Sequence, residues 1–187
     1  MSLFSDPQAS LGFPAPLAEK YRPRSIDAFI GLEKQRKVLS AFARRPVSCA
    51  WLFIGPSGVG KSTMALALAD ELQADLHKIP SQKCTVQAIA AQLALLSKLD
   101  STDPAPQTIW IFTANDCERL EKRFLSRCRV LEFSSYGMRG ELASFLAQVW
   151  RSETGTDGAI DFERVAKNST NNVRDALQTL EVELLAS

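Results

Sequence analysis

Ala50-Trp51-Leu52-Phe53-Ile54-Gly55-Pro56-Ser57-Gly58-Val59-Gly60-Lys61-Ser62-Thr63 is the stretch on which the fold turns. Its first five residues are apolar throughout, the pattern of a strand buried on both faces of a parallel sheet. Gly55 to Ser62 then follow the spacing G-x-x-x-x-G-K-S, and residues 64–72, MetAlaLeuAlaLeuAlaAspGluLeu, are helix-prone. A glycine-rich loop between such a strand and such a helix is a phosphate cradle. Gly55, Gly58 and Gly60 let the backbone curl so that successive N–H groups face the phosphates, and the helix adds the positive end of its dipole. Lys61 reaches the β/γ-phosphates, and the Ser62 hydroxyl holds magnesium.

Working outward, the chain of 187 residues is long enough for one substantial core, or for a larger domain with a small companion. With 45% hydrophobic and 23% charged residues it has the balance of a globular protein, and its longest apolar runs are too short to span a bilayer. The start, MetSerLeuPheSerAspPro, lacks the basic stretch and apolar core of a secretory signal, so a cytoplasmic location is expected. Cys49, Cys84, Cys117 and Cys128 have no C-x-x-C spacing and are accompanied by a single histidine, His77. That pattern argues against a zinc site and reads as reduced, mostly buried thiols. Charge is divided: residues 1–131 carry 17 Lys/Arg against 12 Asp/Glu, while residues 132–187 carry 5 against 9. A basic front half suits a nucleic-acid surface and equally a solvated face.

Residues 1–18, with Pro7, Pro14 and Pro16 and no periodicity, read as an extended lead-in. From Leu32 to Arg44, Val38, Leu39 and Phe42 recur at helical spacing. Three more strands are expected, at Leu76–Ile79, Thr108–Thr113 and Arg129–Phe133, with a helix over Thr85–Leu99 between the first two. Beyond Ser134 only helices are expected. Their stripes are Leu142, Phe145, Leu146 and Val149, then Phe162, Val165 and Ala166, then Val173, Ala176, Leu177, Leu180 and Leu184, the last helix capped by Asn171 or Asn172. The expected organisation is therefore an α/β parallel-sheet domain over 19–135 and a small all-helical domain over 136–187.

A phosphate loop serves many chemistries, so the residues around it must choose among them. Residues 108–115, ThrIleTrpIlePheThrAlaAsn, read as a buried strand that ends in an amide. Placed at the carboxyl edge of the sheet, Asn115 could orient a water against the γ-phosphate. Leu125-Ser126-Arg127-Cys128 precedes the next strand, and Asn172-Val173-Arg174 opens the last helix with an arginine that the helical domain could swing over the nucleotide.

With these motifs in order, residues 17–185 resemble the clamp-loader branch of the AAA+ ATPases, including replication factor C small subunits. The phosphate loop resembles the Walker A motif, Asn115 sensor 1, Ser126-Arg127-Cys128 the trans arginine-finger motif and Arg174 sensor 2. LeuAlaGluLysTyrArgPro (17–23) and IleAspAlaPheIleGly (26–31) resemble the segment that packs around adenine. The resemblance implies a P-loop NTPase domain followed by a helical lid, with ATP and Mg2+ as cofactors. Tyr21, Arg22, Pro23 and Ile30 would form the base pocket, while Lys61, Ser62 and Thr63 bind phosphates and magnesium. Arg174 would sense the γ-phosphate within the subunit, and Arg127 would enter a neighbour's site. It implies as partners neighbouring AAA+ subunits, DNA and a DNA-associated protein such as a sliding clamp. The collar helices that follow the lid in clamp loaders have no counterpart up to Ser187.

One part of the pattern is missing. The Walker B element, an apolar strand ending in Asp-Glu, has no match: Asp70-Glu71 belongs to the helix leaving the phosphate loop, and Asp116 serves only if Asn115 is not sensor 1. Residues 84–89 look like the start of one helix of the family and 90–100 like a later one, so about one helix and one strand fall out near Ala88–Ala90. An omitted segment, a deletion or a natural loss would each account for it. The resemblance implies a clamp-loader-like ATP-driven oligomeric switch in DNA replication or recombination, which in this chain is expected to bind ATP and hydrolyse it slowly or not at all; the alternative is a non-catalytic nucleotide-binding scaffold subunit lacking a Walker B carboxylate.

Overall fold

The computed structural model describes residues 14–78, 108–118, 120–158 and 160–186. Helix α1 spans Leu17–Lys20, a 3-10 turn spans Ile26–Ala28, and α2 covers Glu33–Arg44. Strand β1, Cys49–Ile54, runs into the phosphate loop, and α3 begins at Lys61 and ends at Glu71. Strand β2 (Ile109–Ala114), the short helix α4 (Lys122–Leu125) and strand β3 (Cys128–Glu132) complete the sheet region. Helices α5 (Arg139–Thr154), α6 (Phe162–Asn168) and α7 (Val173–Ala186) follow.

The described sheet has three parallel strands in the order β2-β1-β3. Pairing runs from Cys49 with Ile109 to Ile54 with Ala114 on one side, and from Ala50 with Cys128 to Ile54 with Glu132 on the other. Because β1 is central, Ala50–Phe53 are all buried, as their unbroken apolar run requires. The last paired rung aligns the C-terminal ends of β1, β2 and β3, so the loops carrying Gly55, Asn115 and Phe133 leave from one edge.

The buried apolar side chains among the described residues form two large cores and a small third cluster around Leu52 and Phe124. The first joins Ile26, Phe29, Leu39 and Phe42 to Trp51, Phe53, Met64, Leu68 and Phe133. Trp51 meets Phe42 nearly edge-on at 5.3 Å between centroids, and the Arg129 guanidinium lies over both rings. The second core is helical, built by Leu142, Leu146, Val149 and Trp150 of α5, Val165 and Ala166 of α6 and Ala176, Leu177 and Leu180 of α7. Asp161 caps α6 by accepting from the Arg164 N–H at 2.9 Å.

Several sequence expectations shift. The apparent lead-in gives way to helix earlier than residue 18, because Leu17 starts α1 and is buried in the helical core. The Leu17 N–H donates to Glu181 of α7, and Tyr21 donates its hydroxyl to Glu153 of α5. Residues 17–21 thus pack with the C-terminal helices, while Ile26 and Phe29 pack with the sheet. The chain crosses between the cores at 22–25 and again at 139–141, between Met138 of the first core and Leu142 of the second. The expected strand at 76–79 does not form over its described part: residues 74–78 have no regular structure, and Leu76 is exposed. The expected helix over 85–99 and the junction at 88–90 fall outside the described residues. Strand β2 is half-buried rather than buried, since among the described residues it pairs on one side only. No helix among the described residues is long and apolar enough to cross a membrane.

Candidate nucleotide site

The site grows from the C-terminal end of β1. Gly55 has φ +151°, and a Cβ there would lie 3.0 Å from the Phe133 carbonyl carbon, so only glycine lets the loop leave between β2 and β3. Gly60, at φ +94°, turns the chain into α3, whose first residue is Lys61. A cavity of about 240 Å³ opens over this loop, lined by Ser57, Gly58, Gly60, Lys61, Ser62, Thr63, Thr113, Ala114, Asn115 and Arg174.

Lys61 is the organising cation. Its side chain is buried, and its ammonium donates to the Gly55 and Pro56 carbonyls at 2.7 Å each and to Asn115 Oδ1 at 3.2 Å. Burial pushes its pKa down, and the nearby Arg174 guanidinium pushes it the same way. Two cations converging on a cavity that no carboxylate among the described residues lines make a site for an anion. The N-terminal N–H groups of α3 add to the same field.

Asn172 was legible in the sequence only as a helix cap. Its Oδ1 accepts from the N–H of Arg174 at 3.1 Å and of Asp175 at 3.4 Å, while its Nδ2 donates to the Ser57 carbonyl at 2.7 Å. The cap of α7 therefore also touches the phosphate loop. Thr113, a further lining residue, sits one position before the strand end and carries no sequence signal of its own.

The sequence-derived residues divide into three groups. Gly55, Pro56, Ser57, Gly58, Val59, Gly60, Lys61, Ser62 and Thr63 form the loop and the start of α3, and Asn115 and Arg174 reach the same cavity. Tyr21, Arg22, Pro23 and Ile30 do not line it: Tyr21 lies against Phe145 and Glu153, Arg22 pairs with Glu19, and Ile30 packs against the sheet core. Arg127 is also outside the cavity, exposed beside α4 with its Nη1 donating to the Arg123 carbonyl at 3.0 Å. Asp116 is exposed and lines nothing here.

The residues present fit a polyphosphate. They offer loop N–H groups, Lys61, Arg174 and the hydroxyls of Ser62 and Thr63. For Mg2+ they offer Ser62 as the protein oxygen, with phosphate oxygens needed for most of the remaining coordination. Among the described residues no cluster of three or more metal-ligating side chains exists.

The fold and this site define a P-loop NTPase of the AAA+ type. Residues 51–94 match the ATPase family associated with various cellular activities, AAA. Replication factor C small subunit 1 of Pyrobaculum arsenaticum is 30% identical over 201 residues, covering 88% of this chain and 60% of that protein. Replication factor C large subunit of Methanothrix thermoacetophila is 30% identical over 202 residues, covering 88% of this chain and 43% of that protein. Among solved structures, the Thermotoga maritima RuvB Holliday junction branch migration motor superposes with a TM-score of 0.69 at 25% identity, covering 86% of this chain and 64% of that one. The chain thus spans less than two thirds of these relatives. The alignment with the Pyrobaculum subunit occupies 201 positions, whereas 88% of 187 residues is about 165, so roughly 36 positions of that relative face no residue here.

Proposed function

We propose that the chain is an ATP-binding AAA+ subunit that works as an oligomeric switch in DNA replication or recombination. The observation that carries this reading is the meeting of Lys61, Asn115 and Arg174, from α3, the end of β2 and α7, at one cavity over the phosphate loop. The loop N–H groups and Lys61 would hold the β- and γ-phosphates, Ser62 would hold magnesium, and Arg174 would carry the charge state of the nucleotide to the helical lid. Arg127, exposed and away from its own cavity, is placed to serve a neighbouring subunit. Tyr21, Arg22, Pro23 and Ile30, within or on either side of the 22–25 crossing, would pack around the adenine. A basic front half and relatives named for replication and branch migration support DNA as the setting, in the cytoplasm, with a clamp-like protein as a further partner.

A second reading has its own support. No carboxylate among the described residues lines the cavity, and the Pyrobaculum relative carries some three dozen positions that this chain lacks. Both favour a nucleotide-binding scaffold that turns over slowly, because without a carboxylate base the attacking water stays weakly activated. Titration with a fluorescent ATP analogue, paired with phosphate release in the presence of DNA, tests both readings. Saturable, Lys61-dependent binding supports the nucleotide site, and its absence overturns it. Turnover at ordinary AAA+ rates would refute the scaffold reading.

A further inference from the structure

We infer that Asn172 is a positioning residue that latches the helical lid to the phosphate loop, so that the loop, α7 and Arg174 move as one unit. As a statement about nucleotide response it rests on the reading given above. The bond itself is geometric. Every useful group of the carboxamide is engaged: Nδ2 on the Ser57 carbonyl, and Oδ1 on the first two N–H groups of α7 that it can cap. Ser57 and Asn172 are 115 residues apart, so this is a tertiary joint and not a local turn.

The surrounding backbone is shaped for that contact. Thr170 and Asn171 take φ +50° and +57° in succession, a left-handed pair that is unfavourable for non-glycine residues. The pair is held by hydrogen bonds from Asn171 N–H to the Ala166 carbonyl and from Ser135 Oγ to the Thr170 carbonyl, at 2.9 and 3.1 Å. Gly58, at φ +79°, offers the complementary hollow: a Cβ there would fall 2.8 Å from Asn172 Cγ. The missing side chain at Gly58 thus makes room for the lid as well as for phosphate. Any rearrangement of the loop around a triphosphate displaces the Ser57 carbonyl, and through Asn172 it displaces the base of α7, two residues from Arg174.

Asn172→Asp separates the two roles, since a carboxylate still caps α7 but cannot donate to Ser57. Hydrogen exchange on the full chain, with and without ATP, reads the result. In the ligand-free protein the variant should exchange about fivefold faster across residues 55–60, the scale of one neutral hydrogen bond, while α7 keeps its protection. In wild type, ATP should slow exchange in both segments, and in the variant only in the loop. Unchanged loop exchange in the ligand-free variant, or lid protection by ATP surviving the substitution, would overturn the latch. If wild type shows no response to ATP, the nucleotide reading fails separately, and the ligand-free comparison still decides whether Asn172 holds the loop.

Discussion

At the scale of single residues, Lys61 explains more of the site than any other side chain. It starts α3, is buried, and bridges the loop carbonyls to Asn115. Lys61→Ala removes a charge-assisted contact to phosphate and should weaken ATP-analogue binding by about tenfold to a hundredfold, measured by fluorescence titration. Arg174→Ala should weaken binding of a triphosphate more than of a monophosphate, because its guanidinium shares the cavity with Lys61, the proposed partner of the outer phosphates. The loop was legible because its chemistry is local: glycine spacing, lysine and hydroxyl follow one another within nine residues, Gly55 to Thr63. The second role of Asn172 was not legible. Its capping partners are two and three positions away, whereas its loop partner is 115 positions away, and no pattern in the intervening sequence encodes that distance.

At the scale of elements, β1, α2, β2 and β3 appear within one residue or so of where apolar patterning puts them, since each is fixed by its own periodicity. Helix α1 is the instructive exception. Four residues beginning after Pro16 have no amphipathic period to show, and they are helical because Leu17 is buried among α5, α6 and α7 and Lys20 and Tyr21 reach Glu153. Glu153 has a lowered pKa, first through the hydrogen bond from Lys20 and then through that from Tyr21. A depressed carboxylate stabilises the fold above its ordinary value of 4.5 and loses that contribution as pH falls through the lowered one. Glu153→Gln should therefore melt below wild type at pH 7, and the gap should narrow under pH 4.5 and then close, as followed by thermal melts across pH. In the helical core, Leu146 has no exposed surface, and Leu146→Ala should cost about 2–5 kcal/mol in chemical denaturation.

At the scale of the molecule, the sequence expectation is an α/β domain over 19–135 and a helical domain over 136–187, and its expectations for residues 79 to 107 fall outside the described residues. The exposed Arg127 belongs to this scale, because the finger role proposed for it would act only in an assembly. Arg127→Ala should lower ATP-dependent self-association at least several-fold in sedimentation velocity, whereas a purely intramolecular role would leave association untouched. The two crossings between cores, at 22–25 and at 139–141, attach the helical half at points far apart in the sequence. The helical half is held to the sheet half at these two crossings and again by the Ser57–Asn172 contact, which ties α7 to the phosphate loop. A pair of spectroscopic labels, one on α7 and one on α2, would therefore register any relative movement of the two cores that breaks this third attachment.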